Sequence, residues 1–226
     1  MRVLFLLALI LLGFGERPSM AAETYDLLFR ETALKGLEQV PGGSDAGQST
    51  LVYDRVISGI DAGQAGGRFS IGLRIKPDDN VDMTLHQGTR SRALGNYPAS
   101  VGNPVIMYFL ESVLAEIAGQ SGGSPFYMRN RIKDALLRDA EVVPVSRRYR
   151  NRDIAARQVT IRPFTKDRAR ERMGAISQLA LAVTVSDEIP GWYYSLVATV
   201  PAATGKAGAG YSNSITLKGA GEEDRP

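Results

Sequence analysis

From residue 68 to residue 76 hydrophobic and polar positions alternate without a break: Phe69, Ile71, Leu73 and Ile75 against Arg68, Ser70, Gly72, Arg74 and Lys76. A period of two with one apolar face predicts a strand with one side in the core and the other in water, as in antiparallel sheets. Pro77-Asp78-Asp79-Asn80 reads as a turn. Residues 81–87 alternate again, with Val81, Met83 and Leu85 inward, so the two runs form a hairpin. The same pattern recurs at 25–32, with Tyr25, Leu27 and Phe29 on one face, and at 51–58, 141–150, 154–163, 178–186, 192–200 and 211–218. Residues 41–47 and 201–210 read as loops, Ile189-Pro190-Gly191 as a tight turn, and 166–173 as a short charged helix. The total is about nine strands, spaced as a meander of hairpins.

One stretch breaks this rhythm. Residues 102–139 carry two helix signals, each introduced by a capping residue and proline: Asn103-Pro104 and Ser124-Pro125. The cap side chain can accept from the orphan amides of the first turn, and proline at the first helical position loses no hydrogen bond. The first helix is apolar nearly all round, from Val105 through Phe109 to Ile117, leaving only a polar strip of Glu111, Ser112 and Glu116. Such a helix is expected to be buried on several sides. The second has one apolar stripe, Met128, Ile132, Ala135 and Leu136, with Arg129, Arg131, Lys133, Asp134 and Arg138 toward water. No strand–helix alternation of the parallel kind is present. The expected fold is α+β: a large curved antiparallel sheet with a central two-helix insertion packed on its concave face.

The first 21 residues change the compartment. Arg2, the apolar run Val3 to Leu12 and the small residues around Ser19 and Ala21 form a secretory signal, too short to span a bilayer as a helix. Residues 22–218 then make one domain and 219–226 a polar tail. Cysteine is absent, which excludes disulfides, thiolate metal sites and cysteine nucleophiles. An exported chain held by core burial alone fits a bacterial periplasm.

Catalytic chemistry finds little support. His86 is the single histidine and alternates with the inward residues of its strand, so it should face away from the core. A triad would have to use it, and no G-x-S-x-G elbow supplies the nucleophile. Glu111 and Glu116 stand ~140° apart on their helix and make no facing acid–base pair. The glycine clusters near 63–67 and 205–210 do not lead into helices, so they are no phosphate loops. No catalytic residue, metal or cofactor is assigned.

Charge is more informative. Between Arg129 and Arg172 fourteen basic residues face six acidic ones, about +8 by formal count, in a chain of net charge +3. A local field of that sign favours an anionic partner: a lipid or other envelope component, or an acidic protein surface. Export argues against nucleic acid. Phe126-Tyr127-Met128-Arg129-Asn130-Arg131 places aromatics beside arginines at a helix start, where anions can bind. The candidate ligand residues are Tyr127, Arg129, Arg131, Arg147 and Arg148, with Phe109 lining an apolar interior.

The stretch GNPVIMYFLESVLAEIAGQSGGSPFYMRNRIKDAL, with IRPF and TVSDEIPGWYYSLVATVP further on, resembles a family of uncharacterised exported proteobacterial proteins, for which the resemblance implies no activity. The inferred architecture is also similar, at the level of fold alone, to half-barrel carriers of the lipoprotein-localisation type. Two functions fit these features. One is a non-catalytic periplasmic binding or carrier module that shelters an apolar or amphipathic anionic ligand between helices and sheet. The other is an envelope assembly factor with a filled core and a basic docking surface. Whether the space between helices and sheet is empty or filled separates them.

Overall fold

The computed structural model describes residues 20–39, 49–59, 66–121, 124–202 and 210–221. The expected leader as far as residue 19, the loop 41–47, most of the loop 201–210 and the last five residues lie outside the described residues. Nine strands form one open sheet: β1 (Leu51–Ser58), β2 (Gly67–Ile75), β3 (Asn80–Gln87), β4 (Arg90–Pro98), β5 (Glu141–Tyr149), β6 (Arg152–Ile161), β7 (Ala180–Val185), β8 (Tyr193–Val200) and β9 (Tyr211–Leu217). Their order is β4-β3-β2-β1-β9-β8-β7-β6-β5, and every neighbouring pair is antiparallel.

The two edges of that sheet are consecutive in sequence. Between β4 and β5 the chain forms α2 (Val105–Ser121) and α3 (Pro125–Arg138), so the helical pair carries it from one edge to the other across one face. A ninefold strand array with one apolar face needs such a cover. The alternation delivers that face. Ile71, Leu73, Ile75, Val81 and Met83 on one wing, and Leu181, Val183, Leu196, Ile215 and Leu217 on the other, are all buried. On α2, Val105, Phe109, Val113 and Ile117 are buried, while Met107, Glu111, Ala115 and Gly119 make one exposed stripe. The first expected cap is present: Asn103 Oδ1 accepts from the Val105 amide at 3.1 Å. Its Nδ2 donates to Tyr53 Oη and the Gly191 carbonyl, fixing the start of α2 to the sheet.

The sheet is not flat. Tyr194 on β8 donates to the Arg148 carbonyl on β5 at 3.0 Å, although β7 and β6 lie between these strands. In a flat sheet three strand spacings would hold them roughly 14 Å apart. The β5–β6 corner therefore folds in toward the middle, where Tyr149 also bridges to Ala220. Gly219 to Gly221 are thus packed against the domain: Arg150 N donates to Gly219 O, and Gly221 N to Arg148 O. A bulge at Thr184/Val185 interrupts the β7–β8 register, and the consecutive Tyr193 and Tyr194 are both buried there.

Two expected elements are corrected. Residues 25–32 are not a strand. They belong to α1 (Met20–Leu28) and the one-turn 3-10 segment Glu31–Leu34 that follows. Thr24, Leu27 and Leu28 are the buried positions, a helical spacing, and the Tyr25 and Phe29 rings stack one turn apart with centroids 4.8 Å from each other. A short apolar run satisfies both periods, and here tertiary anchoring decides between them. Trp192 Nε1 donates to the Leu27 carbonyl at 2.8 Å and Tyr193 Oη to the Leu28 carbonyl, satisfying the end of a helix too short to persist alone. Conversely, β4 is a strand that no alternation announces. It is an edge strand whose first four residues are exposed on both faces, so nothing demands a patterned sequence. Among the described residues the strand count is nine, as expected, with one member exchanged.

Candidate functional site

The outer side of the helical layer holds the feature that best fits a binding site. Ser124 caps α3, its hydroxyl accepting from the Tyr127 amide at 3.5 Å, and Met128, Ile132 and Ala135 turn inward. With α1 pinned beside it, α3 leaves a groove among α1, α2 and α3 of about 220 Å³. Tyr25, Phe29, Met107, Leu110, Leu114, Ile132, Leu136 and Leu137 line it with almost wholly apolar atoms; Glu111, Arg129 and Lys133 supply its charged side chains. Large hydrophobic side chains are exposed here in unusual number. Among the described residues, Tyr25, Met107, Phe126, Tyr127 and Leu137 are exposed on these three helices, and Val101 alone is exposed elsewhere. An apolar surface gathered on one layer marks a contact site more often than scattered residues do.

The expected interior cavity is not where a ligand would fit. Phe109 is fully buried against the core and lines no groove. Between the helices and the sheet, a void lined by Leu28, Ile106, Leu136, Val159, Ile161, Leu181 and neighbours measures about 10 Å³. That is the threshold for a single water, far below an acyl chain.

The candidate arginines are dispersed and mostly neutralised. Tyr127 and Arg131 converge on Asp167, whose side chain is 1 % exposed: the Tyr127 hydroxyl donates at 2.7 and 2.8 Å, and Arg131 Nε pairs at 2.8 Å. Burial opposes the Asp167 charge, yet the Tyr127 hydroxyl, the Ala169 amide and Arg131 together hold its carboxyl below the usual range. The Tyr127 phenol is pushed up by the same hydrogen bond. Arg129 forks onto Glu111 of α2 at 2.8 to 3.2 Å, in the groove. Arg147 and Arg148 stand apart on the edge strand β5, Arg147 donating to Gln158 and Arg148 pairing with Asp153 at 3.4 Å.

Sequence inspection missed a buried polar cluster. Arg55 on β1 is 5 % exposed, and its guanidinium pairs with Glu116 of α2 at 2.7 Å and donates to Tyr108 Oη at 2.7 Å. The other Glu116 oxygen accepts from Tyr211 at 2.6 Å and from Asn213 at 3.0 Å. The expected polar strip of α2 is thereby divided: Glu111 faces the groove, whereas Ser112 and Glu116 face the sheet. The signal was present in the alternation, because Leu51, Tyr53, Arg55 and Ile57 share the inward face of β1, as Tyr211, Asn213, Ile215 and Leu217 share that of β9. Burial and the Glu116 hydrogen bond push the Tyr211 phenol up. With both Glu116 oxygens engaged, the cluster is a clamp between helix and sheet and offers no free base.

Among the described residues no three histidine, aspartate or glutamate side chains gather to share a metal ion, and no helix is long and apolar enough to cross a membrane. No protein-family model and no curated protein matches the chain.

Proposed function

We propose that this chain is a non-catalytic module of the cell envelope that binds an amphipathic anionic partner on the outer side of its helical layer. The observation that carries this is the apolar groove of α1, α2 and α3, bordered by the exposed Tyr25, Met107 and Leu137, by Lys133 and by the Arg129–Glu111 pair. An apolar slot with Lys133 on its border suits a ligand with a hydrocarbon part and a negative head, since each part finds its complement within one contact surface. The small void between helices and sheet speaks against an enclosed carrier and toward the assembly factor; the outer groove is what keeps an amphipathic ligand as the reading. The export expected of the leader would put such a partner within reach.

Native mass spectrometry of the purified protein tests this. A lipid or similar amphiphile should co-purify, and Leu137→Glu should strip it while leaving the circular dichroism spectrum unchanged. No adduct on the parent protein, together with no uptake of an added fatty acid or lysophospholipid, would sink the groove as a ligand site. The filled core and exposed arginines would then favour an assembly factor that docks on an acidic protein.

A further inference from the structure

A second contact surface lies at the corner where α3 begins. Phe126 is the most exposed large hydrophobic side chain among the described residues, at 69 %. It belongs neither to the buried core nor to the lining of the groove. The segment bonded to the neighbouring Tyr127 and to Arg131 is the turn through Asp167 into α4 (Arg170–Met173), and turn and helix together carry Arg168, Arg170 and Arg172, all exposed. None of the three has a carboxylate partner among the described residues, whereas Arg129, Arg131, Arg148, Arg162 and Lys166 are all paired.

Asp167 is the bracket that places them. It anchors to α3 through Tyr127 and Arg131 and accepts from the Ala169 amide at 2.7 Å, so the turn bearing the arginines is held in register with the helix start. Arg170 N donates to the Asp167 carbonyl at 3.2 Å and Arg172 N to the Ala169 carbonyl at 3.0 Å, which ties both arginines to that turn. The positive end of the α3 dipole lies at the same helix start.

We infer that this corner, Phe126 with Arg168, Arg170 and Arg172, is a platform that seats the protein on an anionic lipid bilayer. A protruding phenylalanine enters the headgroup–acyl boundary while arginines around it take the phosphates, the division of labour of interfacial anchors. The stripe Phe126, Arg129, Lys133, Leu137 continues along one face of α3 for about 16 Å, so a protein seated this way presents its groove to the same membrane. This inference rests on the helical layer being the contact side; its test reads the bilayer and not the groove ligand.

The experiment is co-sedimentation of the purified protein with vesicles of phosphatidylglycerol and phosphatidylethanolamine, against vesicles of phosphatidylcholine alone. Binding should be confined to the anionic vesicles, fall steeply between about 20 mM and 0.5 M salt, and drop about tenfold or more in Arg168→Glu/Arg170→Glu/Arg172→Glu. Phe126→Ser should weaken binding and make what remains more salt-sensitive. Arg168→Gln/Arg170→Gln/Arg172→Gln should lie between parent and reversal, and serves if the reversal fails to fold. Equal binding of the triple variants and the parent, or equal binding to both vesicle types, would overturn the platform. So would retention on polyglutamate without any vesicle binding, which would assign the arginines to an acidic protein. A groove that takes no amphiphile while vesicle binding persists would remove the proposed function and leave the platform standing.

Discussion

At the scale of single residues, two acids carry the electrostatics of this molecule. Glu116 neutralises Arg55 in a setting where neither side chain exceeds 11 % exposure. A buried pair adds little against a well-packed apolar pair, but removing one member strands the other, at about 3–5 kcal/mol. Glu116→Ala and Arg55→Met should each lose on that order in urea denaturation, while Arg55→Met with Glu116→Leu should lose much less than the sum. Additive losses would mean the two charges do not depend on each other. Asp167 works through pH. Its folded pKa lies below its ordinary value, so its contribution is complete above the unfolded pKa, near ~3.9, and fades as pH falls through the folded one. Relative to Asp167→Asn, the parent should lose stability more steeply below about pH 4. Parallel acid limbs would remove Asp167 as an acid-sensitive bracket.

At the scale of elements, the informative ones are α1 and β4. Tyr25, Leu27 and Phe29 alternate like a strand, yet the buried positions are Thr24, Leu27 and Leu28, the i, i+3, i+4 spacing of a helix, and Tyr25 is exposed. The choice is made by partners far along the chain: Trp192 and Tyr193 receive the last carbonyls of α1, and Arg30 lies 4.1 Å over the Trp192 ring. Gly102 keeps this junction close. Its φ is +84°, and a Cβ there would stand 2.4 Å from the Arg30 carbonyl oxygen. Trp192→Phe keeps the packing but leaves the Leu27 carbonyl unpaired, a loss of about 1–3 kcal/mol. Hydrogen exchange should then speed first at the amides of α1, with β7 and β8 following only near global unfolding. Uniform acceleration across the chain would show that α1 is not a separately anchored unit. β4 was illegible for the opposite reason: as an exposed edge it carries no core face to write a pattern.

At the scale of the whole molecule, the sheet divides the labour. Its helix-side face is apolar apart from the Arg55–Asn213–Glu116 cluster, with a void of about 10 Å³ under α2 and α3, and the reverse face of the central strands presents Asp54, Ser70, Ser195, Ser214 and Thr216 at half-buried positions. Exposed large apolar side chains gather on the outer helical layer and its corner, which is why both proposed contacts fall there. The positive field of the basic segment is smaller than a count of arginines suggests, because Arg129, Arg131 and Arg148 meet carboxylates. Arg168, Arg170 and Arg172 are part of the remainder, and they stand within five residues of one another.

The sequence by itself determined what local periodicity can carry. Strand faces such as Phe69 to Ile75 and Leu179 to Val185, both helix starts with their caps, the inward stripe of α3 and the antiparallel α+β class all follow from spacing between near neighbours. Only the tertiary structure decided which charges are spent and which remain. Arg55 and Glu116 lie 61 residues apart, and Tyr127 and Asp167 lie 40 apart. Nothing in their own segments announces these meetings, because a buried charge is satisfied by whatever the fold brings within hydrogen-bonding distance.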